Sequence, residues 1–340
     1  MRSTVDPPDF GLIQKILIIQ FRPFGDVLLA TAYLEALQNR FPDASIDFLV
    51  KKPFDALLYK NPWISEVLAF SDLSGINYFS GRLKLFSLIR KRRYDLVIDQ
   101  QSGTGSGQVA FFSKAVHKLG WSTGKWRWCY NLKAEKGPVR YRASQNFDML
   151  MPLGIDERPH QLFYHVSKES EVYARDWMKA QGLSATNTIM FSPGSPRERK
   201  KWHAHNYAAL ADQIVQETRM RVVILWGPKE YADAQKVVQK AKQNLIPAPA
   251  TDFNQGAAFL KQCRLLICND GGVNHLSVAL NVPSLAIFGN TPPEKWSPQG
   301  FFKHHYHLHN PARDNKSDSH FGISPQEAFE KVMEILNELQ

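Results

Sequence analysis

Four polar clusters in this 340-residue chain could move a proton or hold an anion, and each sits where an apolar run gives way to a helical pattern. Helix starts carry unpaired backbone N–H groups and a positive dipole end, so anions are favoured there. The first cluster is Arg22-Pro-Phe-Gly-Asp26. Gly25 permits a tight turn or the close approach of another molecule. The Asp26 carboxylate could take the proton of a substrate hydroxyl as general base. Asp is also a favoured N-cap, here for a helix starting at Val27, and both readings stand.

The second cluster is Ser192-Pro-Gly-Ser-Pro-Arg-Glu-Arg-Lys-Lys-Trp202. Gly194 exposes backbone, Ser195 offers a hydroxyl, and Arg197, Arg199, Lys200 and Lys201 supply charge. That mixture suits a diphosphate, although charge runs are also common as solvated loops. In the third, Asn269-Asp270-Gly271-Gly272-Val273-Asn274-His275, two glycines let a ligand approach the backbone. Asp270 could accept from sugar hydroxyls and His275 could donate to a phosphate, or they could be a helix cap and a core histidine. The fourth, Trp226-Gly-Pro-Lys-Glu230, places a carboxylate that could read a ribose diol. A first-turn Glu favoured by the dipole is its simpler explanation.

Three further features are weaker. Gly103-Thr-Gly-Ser-Gly107 resembles a phosphate-cradling loop but matches neither G-x-G-x-x-G nor a P-loop, and a flexible surface turn fits as well. His304, His305, His307 and His309 are candidate metal ligands without a Cys or acid in ligand spacing. Lys118–Arg142 mixes cations with Trp121, Trp126, Trp128, Tyr130 and Tyr141. That mixture suits a membrane interface, an acidic glycolipid, stacked bases or a core hairpin.

The elements that must position these clusters alternate between strand and helix. Lys15–Phe21 reads as a strand buried on both faces, Val27 to about Arg40 as a helix, and Ser45–Val50 as the next strand. A basic helix at Leu83–Arg93 and a strand at Leu96–Asp99 continue the rhythm. A second series follows. Its strands are Thr188–Ser192, Val222–Trp226, Leu265–Cys268 and Ser284–Phe288. Its helices are Ser170–Gln181, His205–Thr218, Tyr231–Lys242, Gln255–Gln262 and Val273–Leu280. The chain closes with Pro325–Leu339, capped by Ser324. The expected class is α/β: two Rossmann-like doubly wound domains facing a cleft, residues 1–165 and 166–323, with 324–340 packing back on the first.

Composition bounds the rest. At 44% hydrophobic, 22% charged and 12% aromatic residues, the chain is neither disordered nor membrane-spanning in character. Met1–Phe10 is polar and does not read as a signal peptide. Cys129, Cys263 and Cys268 make no disulfide framework, so a reducing compartment is expected. The net charge is +10. Residues 1–165 carry 22 basic against 15 acidic side chains, and residues 166–340 carry 20 against 17. Such an excess favours a polyanionic partner.

The order of the motifs is more specific than any one of them. K-I-L-I-I-x-x-R-P-x-G-D-V-L, Y-D-L-V-I-D, N-F-D-M-L-x-P-L-G-I, P-G-S-x(5)-K-x-W, W-G-P-x-E and N-D-G-G-x-x-H-L follow one another between about residues 14 and 300. That series resembles glycosyltransferase family 9, the lipopolysaccharide heptosyltransferases. The resemblance implies the GT-B fold, with a nucleotide sugar, typically ADP-heptose, in the C-terminal domain. It implies an acidic glycolipid acceptor in the N-terminal domain: Kdo- or heptose-bearing lipid A at the cytoplasmic face of the bacterial inner membrane. The enzyme would be cytoplasmic and peripheral on that anionic surface, with a monomer favoured and no nucleic-acid partner.

By the same resemblance Asp26 falls on the catalytic aspartate and Lys200 on the lysine that holds the donor diphosphate. Ser195, Glu230, Asp270, Gly271, Gly272 and His275 fall on donor contacts, and Arg22, Gly25, Gly103 and Gly105 on the acceptor side. Family members invert configuration, and no cofactor or metal is expected. Gly105 stands near a position that is often basic in the family, and residues 303–322 carry histidines where many members have paired cysteines. The alternative readings are a related enzyme using another nucleotide sugar (a UDP-sugar transferase or an epimerase) and a basic nucleic-acid binder. The latter lacks an RNP, helix-turn-helix or zinc signature. A Rossmann dehydrogenase is disfavoured by the missing G-x-G-x-x-G.

Overall fold

A computed structural model describes residues 10–71, 76–156, 158, 161–311 and 321–339. The segment before Phe10 and much of 303–322 lie outside the described residues. The chain divides into two compact units, Met1–His165 and Val166–Gln340.

The first unit holds strands β1 (Lys15–Gln20), β2 (Ser45–Lys51), β3 (Glu66–Phe70), β4 (Leu96–Asp99), β5 (His117–Trp121) and β6 (Leu132–Ala134). Its helices are α1 (Phe24–Ala30), α2 (Leu34–Arg40), α3 (Ile76–Arg92), α4 (Thr104–Phe112) and α5 (Arg142–Phe147). The strands form one parallel sheet in the order β3-β2-β1-β4-β5-β6. The near-continuous apolar run of β1 is what a strand covered on both faces requires, and Ile16–Ile19 are fully buried.

The second unit holds β7 (Thr188–Ser192), β8 (Arg221–Ile224), β9 (Ile246–Pro247), β10 (Leu265–Asn269), β11 (Ser284–Phe288) and β12 (His305–His309). Its helices are α6 (Lys168–Ala180), α7 (Ala204–Glu217), α8 (Tyr231–Lys240), α9 (Phe253–Lys261), α10 (Gly272–Ala279), α11 (Pro293–Trp296) and α12 (Pro325–Glu338). This sheet is also parallel, in the order β12-β11-β10-β7-β8-β9. Numbered from its own first strand, it repeats the 3-2-1-4-5-6 order of the first unit, the doubly wound dinucleotide-fold order.

Several expectations are corrected. The helix read from Val27 to Arg40 begins three residues earlier, with Pro23 at its N-cap, and is interrupted by a 3-10 turn at Thr31–Tyr33. The Thr31 hydroxyl donates to the Leu28 carbonyl (2.6 Å), a back-bond that bends helices. The hairpin considered for Lys118–Arg142 does not form: β5 and β6 run parallel, Leu119 opposite Leu132. The basic helix starts at Ile76 rather than Leu83. β3, β5, β6 and β9 lie toward the sheet edges and escaped the periodicity reading because β3 and β5 carry charged or glycine residues and β6 and β9 are only three and two residues long.

α12 packs on α7 in the second unit, with Val332 and Ile335 fully buried. Ser324 caps it by accepting from the Glu327 N–H (3.1 Å). Among the described residues no helix is long and apolar enough to cross a membrane. Ile335→Ala, which opens a cavity between α12 and α7, should lower stability by about 2–5 kcal/mol in urea denaturation. A loss under about 0.5 kcal/mol would mean that α12 is not part of the cooperative core.

Candidate active site

In a doubly wound sheet the connections leave the central strands in opposite directions, and ligands bind outside the carboxyl ends at that switch point. The switch points here lie between β1 and β4 and between β7 and β10. Three of the four polar clusters follow β1, β7 and β10, and Glu230 follows β8.

In the second unit the loops after β7 and β10 are joined by Asn269. Its amide Nδ2 donates to the Pro193 carbonyl (2.7 Å), and its Oδ1 accepts from the Trp202 N–H (2.9 Å) and the Tyr207 hydroxyl (3.1 Å). Trp202 is buried, and its indole N–H donates to the Ile323 carbonyl. The basic loop is therefore anchored at both ends. Within it Lys200 forms an ion pair, Nζ to Oδ2, with the buried Asp270. Asp270 is not the cap of α10; that place belongs to Gly271, and Gly272 opens the helix. Ser195 is buried, and its Oγ accepts from the Arg197 N–H (3.3 Å).

The four cations part company. Lys201 is committed to Asp233 (2.7 Å) and Glu198 (2.8 Å), whereas Arg197 and Arg199 are exposed. Glu230 is the N-cap residue of α8, and its Oε2 accepts from the Gly227 N–H (3.1 Å). Burial raises its carboxyl above the usual range. Gly194 leaves the space that this carboxylate fills, and a side-chain carbon there would overlap it. Ser195, Lys200, Glu230, Asp270, Gly271 and Gly272 are thus gathered at the carboxyl ends of β7, β8 and β10. His275 lies one turn into α10, buried, 6.3 Å ring to ring from Trp296.

In the first unit Asp26 lies inside the first turn of α1 and makes no cap bond, so the cap reading is set aside. Its Oδ1 is buried and accepts no hydrogen bond, with Arg22 Nη1 at 3.6 Å. Gly25 precedes it in the same turn. The ends of β1 and β4 are stitched by the Phe21 N–H to Gln101 Oε1 (3.0 Å) and the Gln100 N–H to the Ile19 carbonyl (3.1 Å). Asp99, at the end of β4, is fully buried; burial pushes its carboxyl up to about 6, against the opposing pull of the Tyr130 hydroxyl (2.6 Å). Gly103–Gly107 is not a flexible surface turn: Gly103 caps α4, its N–H donating to Ser106 Oγ (3.0 Å), and Gly105 lies inside the helix. The Gly105 carbonyl accepts from Arg82 Nη2 (2.6 Å).

Residues to which the sequence reading assigned no role complete these loops. Arg142, on α5, is buried and within electrostatic reach of Asp26 and Arg22; burial is the main influence, lowering its affinity for a proton. All six residues of α5 are buried, so no amphipathic pattern marked it. Asn269 carried one signal, a polar residue ending the apolar run LLICN. Arg82 carried none, because nothing in its spacing points to Gly105.

The histidine-rich strand is hydrogen-bonded internally. His305 Nδ1 meets Ser284 Oγ and His307 Nδ1 meets Ser297 Oγ, each at 2.9 Å. Among the described residues no three His, Cys, Asp or Glu side chains are grouped to hold a metal ion.

Two Rossmann-like units of identical strand order, each with its polar loops at the switch point, make up the GT-B architecture. The chain belongs to glycosyltransferase family 9, the heptosyltransferase family, whose model matches residues 82–321. It is 26% identical over 301 residues to lipooligosaccharide heptosyltransferase 2 of Haemophilus ducreyi, covering 84% of this chain and 86% of that one. Among solved structures it resembles the family 9 glycosyl transferase of Veillonella parvula (TM-score 0.84, 23% identity, 96% and 97% of the two chains). It also resembles the ADP-heptose lipopolysaccharide heptosyltransferase II of Escherichia coli (TM-score 0.77, 23% identity, 96% and 99%). At that identity the two structural likenesses speak for the fold.

The buried histidines of the second unit give a pH dependence. Burial pushes His275 and His305 each down to about 4, from an ordinary value near 6.5. Above pH 6.5 both are neutral, folded or unfolded, and contribute no slope. Between 6.5 and 4 the unfolded chain binds protons that the folded chain refuses, so stability falls with pH. The slope is at most about 1.4 kcal/mol per pH unit for each histidine. His305→Gln should flatten this loss in urea titrations at pH 4–6.5 and leave the slope above pH 6.5 unchanged. An equal slope in both proteins would show that His305 is not the proton site.

Proposed function

We infer that this protein transfers a heptosyl group from ADP-heptose to the inner core of lipopolysaccharide, with inversion at the anomeric carbon. The donor binds the second unit and the Kdo- or heptose-bearing acceptor the first. The observation that carries the reading is the buried Asp26 Oδ1 that accepts no hydrogen bond. A general base needs a lone pair not already committed, and Asp26 offers one at the end of β1.

The acceptor oxygen attacks the anomeric carbon as the bond to the diphosphate oxygen breaks. The hydroxyl proton passes to the Asp26 carboxylate, and negative charge grows on the departing ADP. Lys200 meets that charge, as do the backbone N–H groups at the start of α10 after Gly271 and Gly272. Before donor arrives Lys200 is held by Asp270, so the ammonium is in place and exchanges one anionic partner for another. Ser195 adds a hydroxyl to the diphosphate, His275 a donor within α10, and Glu230 accepts from the ribose hydroxyls. Arg22 and Gly25 line the acceptor side next to the base, with Gly103 and Gly105 at the start of α4.

The deciding measurement is a transfer assay crossing ADP-heptose and UDP-sugars with Kdo-lipid A and heptosylated cores. Transfer from ADP-heptose supports the reading. Turnover with a UDP-sugar alone would move the chain to the related nucleotide-sugar enzymes. Asp26→Asn should cut transfer by about 10²–10⁴-fold and leave ADP affinity nearly unchanged; full activity would remove Asp26 from the mechanism. Lys200→Ala should lower donor affinity and turnover together, roughly 10–100-fold in kcat/KM for the loss of a charge-assisted contact. Unaltered kinetics would refute that assignment.

A further inference from the structure

One face of the first unit carries a chain of aromatic side chains that none of the roles above uses. Phe86 of α3 stacks on Phe112 of α4 (4.6 Å between ring centroids). Phe111 meets Phe112 at 5.1 Å and Trp128 at 5.2 Å, and Trp126 lies 5.2 Å from Trp128. The rings therefore run continuously across α3, α4 and the turn at Arg127–Cys129. Phe86, Phe111 and Trp126 rest on the hydrophobic core of the first unit, but the outer side chains of the ridge are exposed. Trp128 is 59% exposed, Phe112 40%, and on α3 Phe79 is 71% and Leu83 67% exposed. Phe79, Leu83 and Phe86 follow the i, i+4, i+7 spacing of one helical stripe, beside the buried Leu85 and Ile89.

The charge around the ridge has one sign. No Asp or Glu occurs from Phe79 to Tyr94 or from Gln100 to Ala134. Exposed Lys84, Arg90, Lys91, Lys125 and Arg127 lie on these segments. Arg82 sits 4.8 Å above the Phe86 ring. A soluble surface normally mixes signs and avoids large contiguous apolar area, so exposed rings with unopposed cations need a partner that is apolar beneath and anionic above. A bilayer interface of anionic phospholipid has that layering: Trp, Phe and Leu enter the headgroup–acyl boundary and Lys and Arg meet the phosphates.

We propose that the face formed by α3, α4 and the Trp126–Trp128 turn docks this protein on an anionic phospholipid membrane. Phe79, Leu83, Lys84, Lys125, Arg127 and Trp128 are none of the residues given a role in transfer above, and the lipid affinity of this face does not require the heptosyl-transfer reading to hold. It would hold the first unit where a lipid-linked acceptor lies.

The test is co-sedimentation of the full chain with vesicles of phosphatidylcholine alone or with phosphatidylglycerol added. Two variants accompany it: Phe79→Ser/Leu83→Ser/Trp128→Ser, and Lys84→Glu/Lys125→Glu/Arg127→Glu. Wild type should bind the phosphatidylglycerol vesicles, lose affinity as salt rises, and bind phosphatidylcholine weakly. Each variant should lose affinity about tenfold or more. All six side chains are at the surface, and circular dichroism with urea denaturation confirms that the variants fold. Transfer to a water-soluble core oligosaccharide without lipid A should match wild type in both variants. Equal vesicle binding by wild type and variants overturns the proposal, and so does wild type that ignores anionic vesicles. A self-association that the apolar variant abolishes, without vesicle binding, would assign the ridge to a second copy instead. Salt-dependent RNA binding without vesicle binding would assign it to nucleic acid. Absence of transfer to any acceptor, with vesicle binding intact, would count against the proposed function alone.

Discussion

The divergence of chain connections at the centre of each parallel sheet is the constraint on which the rest depends. Between β1 and β4, and again between β7 and β10, the following helices leave toward opposite faces. The space opened there is rimmed by helix starts and strand carboxyl ends, so unpaired N–H groups accumulate at one place. No residue type is needed to create that opening; residue types decide what it binds. The first unit furnishes it with a carboxylate at Asp26, the second with an ammonium at Lys200.

The second opening is built around charges that burial would otherwise penalise. Asp270 is almost wholly buried, and an isolated carboxylate there would cost several kcal/mol. Lys200 offsets that cost, and the Asp270 N–H donates to the Ile287 carbonyl, fixing the backbone (3.2 Å). Asn269 performs the equivalent task without charge, tying the turn after β7 to Trp202 and Tyr207. Removing either support would leave buried groups unsatisfied, which is why the loop keeps one shape despite four neighbouring cations.

Legibility in the sequence followed burial and period. β4, β7 and β11 were read to the residue, since their apolar runs are bounded by polar or turn residues. The site loops were legible for the same reason: each begins where such a run ends. What escaped were contacts between elements distant in sequence. Arg82 reaches Gly105 across 23 residues, and Asn269 reaches Pro193 across 76. A linear pattern carries no sign of such pairs. Arg142 escaped for a different reason. Long charged side chains are almost never fully buried without a partner, so an Arg inside a wholly buried helix is the placement that composition argues against.

That placement bears on why the carboxylate and the ammonium belong to separate units. Side by side they would pair, as Lys200 and Asp270 do, and the carboxylate would lose the uncommitted lone pair that the proposed proton transfer requires. In the first unit Asp26 does pair with a cation, but loosely and without a hydrogen bond to its Oδ1. Arg22 stays 3.6 Å away, beyond hydrogen-bond distance, with its side chain nearly half exposed, while Arg142 spends a donor on Gln145 Oε1 (2.9 Å). Neither cation covers the Asp26 Oδ1 with a hydrogen bond. Under the proposed transfer, a carboxylate with an uncommitted oxygen beside two guanidinium groups is also where an acidic acceptor would find complementary charge.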